Sequence, residues 1–543
     1  MINPSLPLFL PEIPPAERTP LVQALLAIIG QQHEQLRRQA KRIEQLEDEI
    51  RRLKGGSSRP RLKPSQLEQE PSPGEEGMDG KSDSNSGTPR RGKPKRKKTQ
   101  KLKIHRLERV VPEAMPAGSE YKGCRRYVVQ ELKIEVVNTC YLLEQWQTPT
   151  GEYVVGALPE SLRGGHYGPQ LVSFVLHQYH HNHVTQPLLL EQLRELGVEI
   201  SAGQLNRLLT EDLEAFHQEK ADLKEAGLSV SSYVQTDDTG ARHQGRNGYC
   251  TAIGNELFAW FETTFSKSRV NFLELLQVER RYVVDAEALA YMERHKLAAC
   301  HRQVLQARGE VVFTDPESWQ RYLHQCGVLG ARAQVIATEG ALIGGLLSQG
   351  LAADLGMVSD DAGQFNVFAH ALCWIHAERP IAQLLPLTEL DRRAVAWVRE
   401  QLWRLYRELK TYKSAPGAGH RAAIEAGFEA LCATETTYEP LNQALRQLQS
   451  NKAELLLVLE RPELPLHNNL SERDLRDYVK KRKISAGTRS DLGRRCRDTF
   501  ASLKKTCRKH GISFWEYLKD RVAGTHAIPS LAEVIRQAAQ APP

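Results

Sequence analysis

Three acidic patches lie far apart in the chain: Thr236-Asp237-Asp238-Thr239, Ser359-Asp360-Asp361-Ala362-Gly363 and Asn468-Asn469-Leu470-Ser471-Glu472-Arg473. Carboxylates give Mg2+ or Mn2+ hard oxygen ligands and leave coordination positions for water and phosphate. Two such ions held side by side activate an attacking oxygen and stabilise a leaving one, which is the chemistry of in-line displacement at phosphorus. Asp237 suits the ligand shared by both ions, with Asp360 and Glu472 completing the pair of sites. Each acid also has a local reading. Asp-Asp-Thr and Asp-Asp-Ala-Gly are good turn sequences, because Asp caps its own backbone. Glu472 follows Asn469 by three residues, as in a capping box, and is spaced i,i+4 with Arg476. Spacing along the chain does not by itself bring the three acids together.

The elements around the acids can be read from periodicity. Residues 230–235 form an apolar run ending at Asp237, and residues 248–254 and 257–262 follow at hairpin spacing. Residues 270–276 read as a helix. Three strands meandering into a helix, with an acid closing the first strand, is the opening of a ribonuclease H-like domain. Residues 355–359 read as the next strand, carrying Asp360 at its end, and residues 370–376 as a fifth. The stretch 279–335 gives no clear pattern. Residues 380–460 are almost wholly helical, broken at Pro416-Gly417, and form an all-helical insertion before the helix that carries Glu472. Cys373-Trp374-Ile375-His376 has the spacing of half a zinc site. With no second half in view, a buried Cys and a hydrogen-bonded His are favoured.

At 543 residues the chain needs several domains. Residues 20–54 carry a heptad seam, with Val22, Ile29, Leu36, Ile43 and Ile50 at one position and Leu25, Gln32, Gln39, Leu46 and Leu53 three residues on. The seam suits a parallel two-stranded coil, hence self-association, although a single helix packed on its own protein has the same pattern. Residues 57–100 are Pro-, Ser-, Gly- and charge-rich and read as a disordered linker. It runs out in Arg90, Arg91, Lys93, Lys95, Arg96, Lys97, Lys98, Lys101 and Lys103, a basic run without acids that suits a phosphate backbone; a solvated tail is the plainer reading. Residues 104–163 alternate apolar and polar, as a small β-rich module would. Residues 164–228 are helical. There a helix at 186–196, a turn at Gly197 and a helix at 202–216 capped by Ser201 give the plan of a helix-turn-helix, shared with ordinary helical hairpins.

Lys and Arg total 73 against 66 Asp and Glu, a net +7 at pH 7 whose distribution matters more than its sum. Nine cysteines without a C-x-x-C pair point to a reducing cytosol and against a disulfide framework. No apolar stretch reaches transmembrane length and the Pro-rich start Pro11-Glu12-Ile13-Pro14-Pro15 has no signal-peptide core, so a soluble cytoplasmic protein without a membrane partner is expected.

Taken together, the blocks resemble the large transposase of the insertion sequence 66 family of bacterial mobile elements. Residues Tyr233-Val234-Gln235-Thr236-Asp237-Asp238-Thr239 look like that family's His-Val-Asp-Glu-Thr block, with Asp237 on its Asp. Cys373-Trp374-Ile375-His376-Ala377-Glu378-Arg379 matches its Cys-Trp-x-His-x-x-Arg block. Residues 468–476 match its Asn-Asn-x-x-Glu-Arg-x-x-Arg block, and residues 483–488 and 510–518 its closing segments.

The resemblance covers nearly the whole chain and implies a multidomain, mostly α protein. Its α/β catalytic core would be DDE-type and ribonuclease H-like with an all-helical insertion, preceded by the coiled coil and helix-turn-helix. The parts then read as coil 1–56, basic linker 57–103, β-rich module 104–163, helix-turn-helix region 164–228, core 229–379, insertion 380–461 and core end with C-terminal helices 462–543. It further implies cleavage at element ends and transfer of the 3′-hydroxyl into target DNA. Asp237, Asp360 and Glu472 would hold two Mg2+ or Mn2+ ions. Terminal inverted repeats and target DNA are the implied partners, with Arg473 and Arg476 among the DNA contacts. Whether small accessory proteins of the element also take part stays open. Cys373, Trp374, His376, Arg379 and Asn469 belong to the family blocks without an assigned role. Two departures stand out. Cys124 is alone where the family has a C-x-x-C pair, so no zinc is expected there, and Asp361 rivals Asp360. The alternatives are an inactive domesticated transposase acting as a DNA-binding regulator, a ribonuclease H-like nuclease without joining activity, and a coiled-coil scaffold.

Overall fold

The computed structural model describes residues 103–540, other than 115, 126, 160, 161, 163 and 164, together with Thr19, Val22, Ile29 and Gln32. Val22, Ile29 and Gln32 are helical. The rest of the heptad seam and the basic run from Arg90 to Lys101 lie outside the described residues. The chain forms two units, Met1–Arg125 and Arg126–Pro543. In the first, the described residues 103–125 are exposed and without regular structure, Lys103 and Cys124 included.

The second unit begins with much less sheet than the alternation at 104–163 suggested. Among its described residues before 164, only β1 (Gln145–Gln147) and β2 (Tyr153–Val155) are strands, an antiparallel pair with every residue exposed. Alternation makes a strand only where a partner backbone and an apolar surface receive it; residues 127–143 pair with no strand, and of them only Val136 packs on the core. Helices follow: α1 (Pro169–Leu176), a π-helical turn (His177–His181), α2 (Gln186–Glu195), α3 (Ala202–Thr210) and α4 (Glu214–Val230). Ser201 and Gln204 form a reciprocal capping box at the start of α3, which fixes the turn after α2. α3 stops at Thr210, short of the expected Phe216, and Asp212 turns the chain at a φ of 56° before α4.

The central sheet has five strands: β3 (Tyr233–His243), β4 (Arg246–Gly254), β5 (Ala259–Thr264) and, after a long excursion, two more. β3 does not end at Asp237. It continues to His243, where Gln244 and Gly245, both at positive φ, make the two-residue turn of a hairpin. Ser268 caps α5 (Arg269–Leu276). The stretch that gave no pattern in the sequence is a small α/β excursion: β6 (Tyr282–Val284), α6 (Ala286–Arg294), α7 (Ala299–Ala307), β7 (Val311–Phe313) and α8 (Pro316–Gln325). β6 and β7 pair antiparallel, and the apolar helix α9 (Ala331–Ser348) packs against β6 and α6.

The chain then returns to the central sheet as β8 (Gly356–Ser359) and β9 (Ala369–Leu372). The spatial order is β5-β4-β3-β8-β9, antiparallel among the first three and parallel from β3 onward. β9 is shorter than the expected 370–376, because α10 (Trp374–Ala382) begins directly after Cys373. The helical block is α11 (Glu389–Ser414), α12 (Ala418–Cys432), α13 (Glu439–Ser450) and α14 (Lys452–Leu455), with its own apolar core around Leu402, Phe428 and Leu445. α15 (Asn469–Ser485), α16 (Asp491–Lys509), α17 (Phe514–Ala523) and α18 (Leu531–Gln540) close the chain.

Both faces of the sheet are covered. Val234, Ile253, Trp260 and Met357 belong to the main core, while Ala241, Cys250, Ala252 and Phe261 meet Leu475 and Tyr478 of α15. The open edge at β5 is sealed by α16. Asp498, Ser502 and Thr506, one helical turn apart, accept the N–H groups of Thr263, Phe261 and Ala259. An edge strand left bare is a template for unwanted pairing, and this row of acceptors fills it. Between α15 and α16 the backbone comes back onto the end of β3, where the Thr488 N–H donates to the Arg242 carbonyl at 2.9 Å. A Cβ at Gly487 would stand 2.3 Å from the Arg242 carbonyl oxygen, so this approach requires glycine.

Candidate active site

Strand register explains why two of the acids meet. Parallel pairing of β3 and β8 ends with Gln235 opposite Val358. Asp237 lies two residues further along β3, and Asp360, just past the end of β8, lies at the same level, close enough for its charge to act on Asp237. The odd-numbered positions of β3 face α15: Gln235 accepts the Leu470 N–H at 3.2 Å, and the Thr239 hydroxyl accepts from Arg482. Asp237 lies between them. Asp238 points the other way, paired with Lys267 at 2.5 Å and accepting from Gln364 at 2.8 Å.

Glu472 reaches the site because the start of α15 is fastened down. Asn468 is fully buried, donates from its amide to the Thr236 carbonyl at 2.8 Å, and accepts from the Ser471 hydroxyl at 2.6 Å. Its backbone N–H points at the Cys373 sulfur, 3.3 Å away, and Trp374 donates its backbone N–H to Leu466. The stretch 466–472 is thereby stitched to β3 and to the start of α10. The local capping box suggested by Asn469 and Glu472 does not form, since α15 has no side-chain cap. The Glu472 carboxylate turns instead to His376 Nε2 at 3.3 Å and Arg379 at 3.7 Å.

The rival acid in the second patch has other partners. Asp361 faces the amides of Asn451 (3.3 Å) and Gln447, at the end of α13. Asp360 accepts the Ala362 N–H at 3.2 Å in a tight turn that holds its carboxyl beside β3. The electrostatics agree. Burial, then the charges of Asp360, Glu472 and Asp238, push the Asp237 carboxyl up to about 7, against a hydrogen bond from the Asp238 N–H. Burial also raises Asp360, with Asp238 and Asp361 adding to the rise and the Ala362 N–H and the Lys267 charge opposing it. Burial, with the Arg379 charge, lowers His376 and so favours its neutral form, while Glu472 works the other way. Burial likewise pushes the Cys373 thiol up to about 11, which leaves it an uncharged acceptor of the Asn468 N–H.

Asp237, Asp360 and Glu472 are therefore electrostatic neighbours. Among the described residues, however, no group of three or more His, Cys, Asp or Glu side chains is drawn tightly enough to hold a metal ion as it stands. Arg473 and Arg476 are exposed on the outer face of α15, together with Lys480 and Lys483 one and two turns on. The basic run at 90–101 lies outside the described residues. Sequence reasoning left His376 and Arg379 without a role and did not single out Asn468 for one. The first two carry a legible signal, since a spacing of three on a helix puts both on one face. A polar residue that works by being buried carries none.

The fold and the acids define a class: an α/β protein whose central mixed sheet and a helix across it gather carboxylates from three distant segments. Residues 355–495, which hold Asp360, the Cys-Trp-x-His-x-x-Arg block and Glu472, match the family described as Transposase IS66 family. The chain is also 43% identical over 314 residues to the uncharacterized protein y4jO of Sinorhizobium fredii (strain NBRC 101917 / NGR234), an alignment spanning 57% of this chain and 98% of that protein. The chain belongs to the transposase IS66 family. None of the helices in the described residues is long and apolar enough to cross a membrane.

Proposed function

We propose that the protein is a DNA transposase that cleaves the ends of a mobile element and transfers the freed 3′-hydroxyl into target DNA. The observation that carries the reading is the nearness of Asp237 on β3 to Asp360, just past the end of the adjacent parallel strand β8, with Glu472 on the helix across them. The sheet order supports a ribonuclease H-like core: three antiparallel strands, then two parallel ones, with acids on the first and after the fourth. The helical block between β9 and α15 fits an insertion domain.

The donor set fits hard divalent cations. Asp237 is raised in part because neighbouring carboxylates repel its charge, a cost that a cation between them would offset. Asp237, Asp360 and Glu472 would hold two Mg2+ or Mn2+ ions, which when bound supply charge stabilisation at the phosphate and activation of the attacking oxygen. The chain's own groups do the positioning. Asn468 fixes the origin of α15, and His376 and Arg379 hold the Glu472 carboxylate at the rim of the site. The exposed face Arg473, Arg476, Lys480 and Lys483 offers the DNA backbone a row of cations that leads away from Glu472. The arm at 90–103 and the helix pair α2–α3 would also touch the terminal repeats, and the heptad segment would pair two copies.

The test is a joining assay with duplexes ending in the repeats that flank the gene, a plasmid target and Mg2+. Wild type joins, whereas Asp237→Asn and Glu472→Gln fall to background while remaining folded. Near wild-type joining by either variant overturns the site assignment. Wild-type cleavage without any joined product would replace the transposase by a nuclease.

A further inference from the structure

A second cluster of charge lies on the inner side of α15 and α16, away from Glu472. Lys481 and Arg497 are buried there, with 5% and 8% exposure, and neither has a carboxylate partner among the described residues. Lys481 donates to the Tyr179 carbonyl (2.9 Å) and lies 3.6 Å over the Tyr179 ring; Arg497 donates to the Ala486 carbonyl. Lys504, 4% exposed, has its nearest acid at 4.0 Å, Asp477, which already serves Lys505 and Arg508. A buried ion pair is common, but a buried cation without an anion is costly, and such sites are normally compensated.

The wall opposite these cations is the π-helical turn, of sequence His177-Gln178-Tyr179-His180-His181. π-helical turns are rare and concentrate at functional sites. Among the described residues, the Nε2 of His180, a side chain 7% exposed, has no hydrogen-bond partner; nor has Nδ1 of His183, which sits in the left-handed region at a φ of 62°. His180, His183, Lys481, Arg497 and Lys504 line one cavity of about 20 Å³, together with Lys505 and the carboxylates Asp474 and Asp477, which are paired with Lys504, Lys505 and Lys509 and so leave Lys481 and Arg497 as the uncompensated charges. The space is room for one oxygen-sized group. It admits one water or a single inserted oxygen of an anion whose remaining atoms stay outside it.

We infer that this cavity is an anion site that takes an oxygen of a phosphate group, held by Lys481, Arg497 and Lys504 with an N–H from His180. Burial and the neighbouring Arg497 and Lys504 charges lower Lys481 to about 7, and a seated anion would reverse that shift. The phosphate comes either from free inorganic phosphate or from a DNA backbone lying along α15. The site does not rest on the transposase reading, because free phosphate tests it without any joining reaction.

The experiment uses the full chain and Lys481→Gln, which keeps a donor for the Tyr179 carbonyl and removes the charge. Unfolding midpoints are measured in phosphate and in gluconate at equal ionic strength, and duplex affinity is measured across a salt series. If free phosphate is the occupant, millimolar phosphate raises the wild-type midpoint by about 2 °C more than that of Lys481→Gln. If a DNA phosphate is the occupant, Lys481→Gln lowers the slope of log affinity against log salt by about 1, and free phosphate competes with DNA for wild type only. Either result supports the site and names its source. Wild type and variant that respond alike to phosphate and share one salt slope would overturn it. Arg497→Gln repeats the comparison if Lys481→Gln is poorly folded.

Discussion

At the scale of single residues, the site is decided by which partner each carboxylate has. Asp237 and Asp238 are adjacent in sequence, yet Asp238 is paired with Lys267 while Asp237 is left among acids. The strand period of two makes that division unavoidable. Glu472 depends on His376 and Arg379 for its position. Side chains that orient a ligating group matter nearly as much as the ligand itself. His376→Ala and Arg379→Ala are each expected to lower joining by about 10–100-fold, with partial recovery at raised Mn2+. Single-turnover joining rates check this, and an unchanged rate in both variants would show that Glu472 needs no such support.

At the scale of elements, the start of α15 is the joint on which the site turns. Asn468 is buried and ties α15 to β3 through the Thr236 carbonyl. Asn468→Ala would remove the Thr236 carbonyl's side-chain donor, while the Ser471 hydroxyl keeps the backbone carbonyl of residue 468, at a cost of about 1–3 kcal/mol in chemical denaturation. Activity should fall further than stability alone explains, because Glu472 loses its origin. Much at this scale could be read from the sequence: the first three strands, α5, the helical block and Ser201's cap all follow from local periodicity and capping. Elements set by distant partners could not. The alternation at 127–143 resembles a strand, but the described chain supplies nothing to pair with it. β9 stops at Leu372 because α10 begins there. The choice between Asp360 and Asp361 depends on Gln447 and Asn451, which lie 86 and 90 residues further along the chain, where local pattern does not reach.

At the scale of the whole molecule, two outcomes follow from where charge is buried and where it is displayed. Burial holds His181, His183, His217 and His370 at about 4, and His180 well below its ordinary value. In the unfolded chain these groups titrate near 6.5. A group whose folded value is the lower one stabilises the fold above the unfolded value and loses that contribution as pH falls. Asp237, raised to about 7, and Asp498, raised to about 6, work the other way, but the five histidines outnumber them, so the unfolding midpoint should drop between about pH 6.5 and 4, with net proton uptake on unfolding. Calorimetry over that range checks it, and a flat profile would contradict it. The basic run acts through salt. Removing residues 90–103 should weaken duplex binding and reduce its salt slope by several units, about one for each phosphate no longer neutralised, while leaving sequence preference unchanged.

In the proposed function, acids from three distant segments act as one site, and the middle acid is where structure and local sequence pattern differ most in what they say. The most direct measurement is the joining rate of Asp360→Asn beside Asp361→Asn, with matched folding controls, in Mg2+. Asp360→Asn should fall to background, and Asp361→Asn should stay within a few-fold of wild type. Loss of joining in Asp361→Asn with activity kept in Asp360→Asn would contradict a site built on Asp237, Asp360 and Glu472.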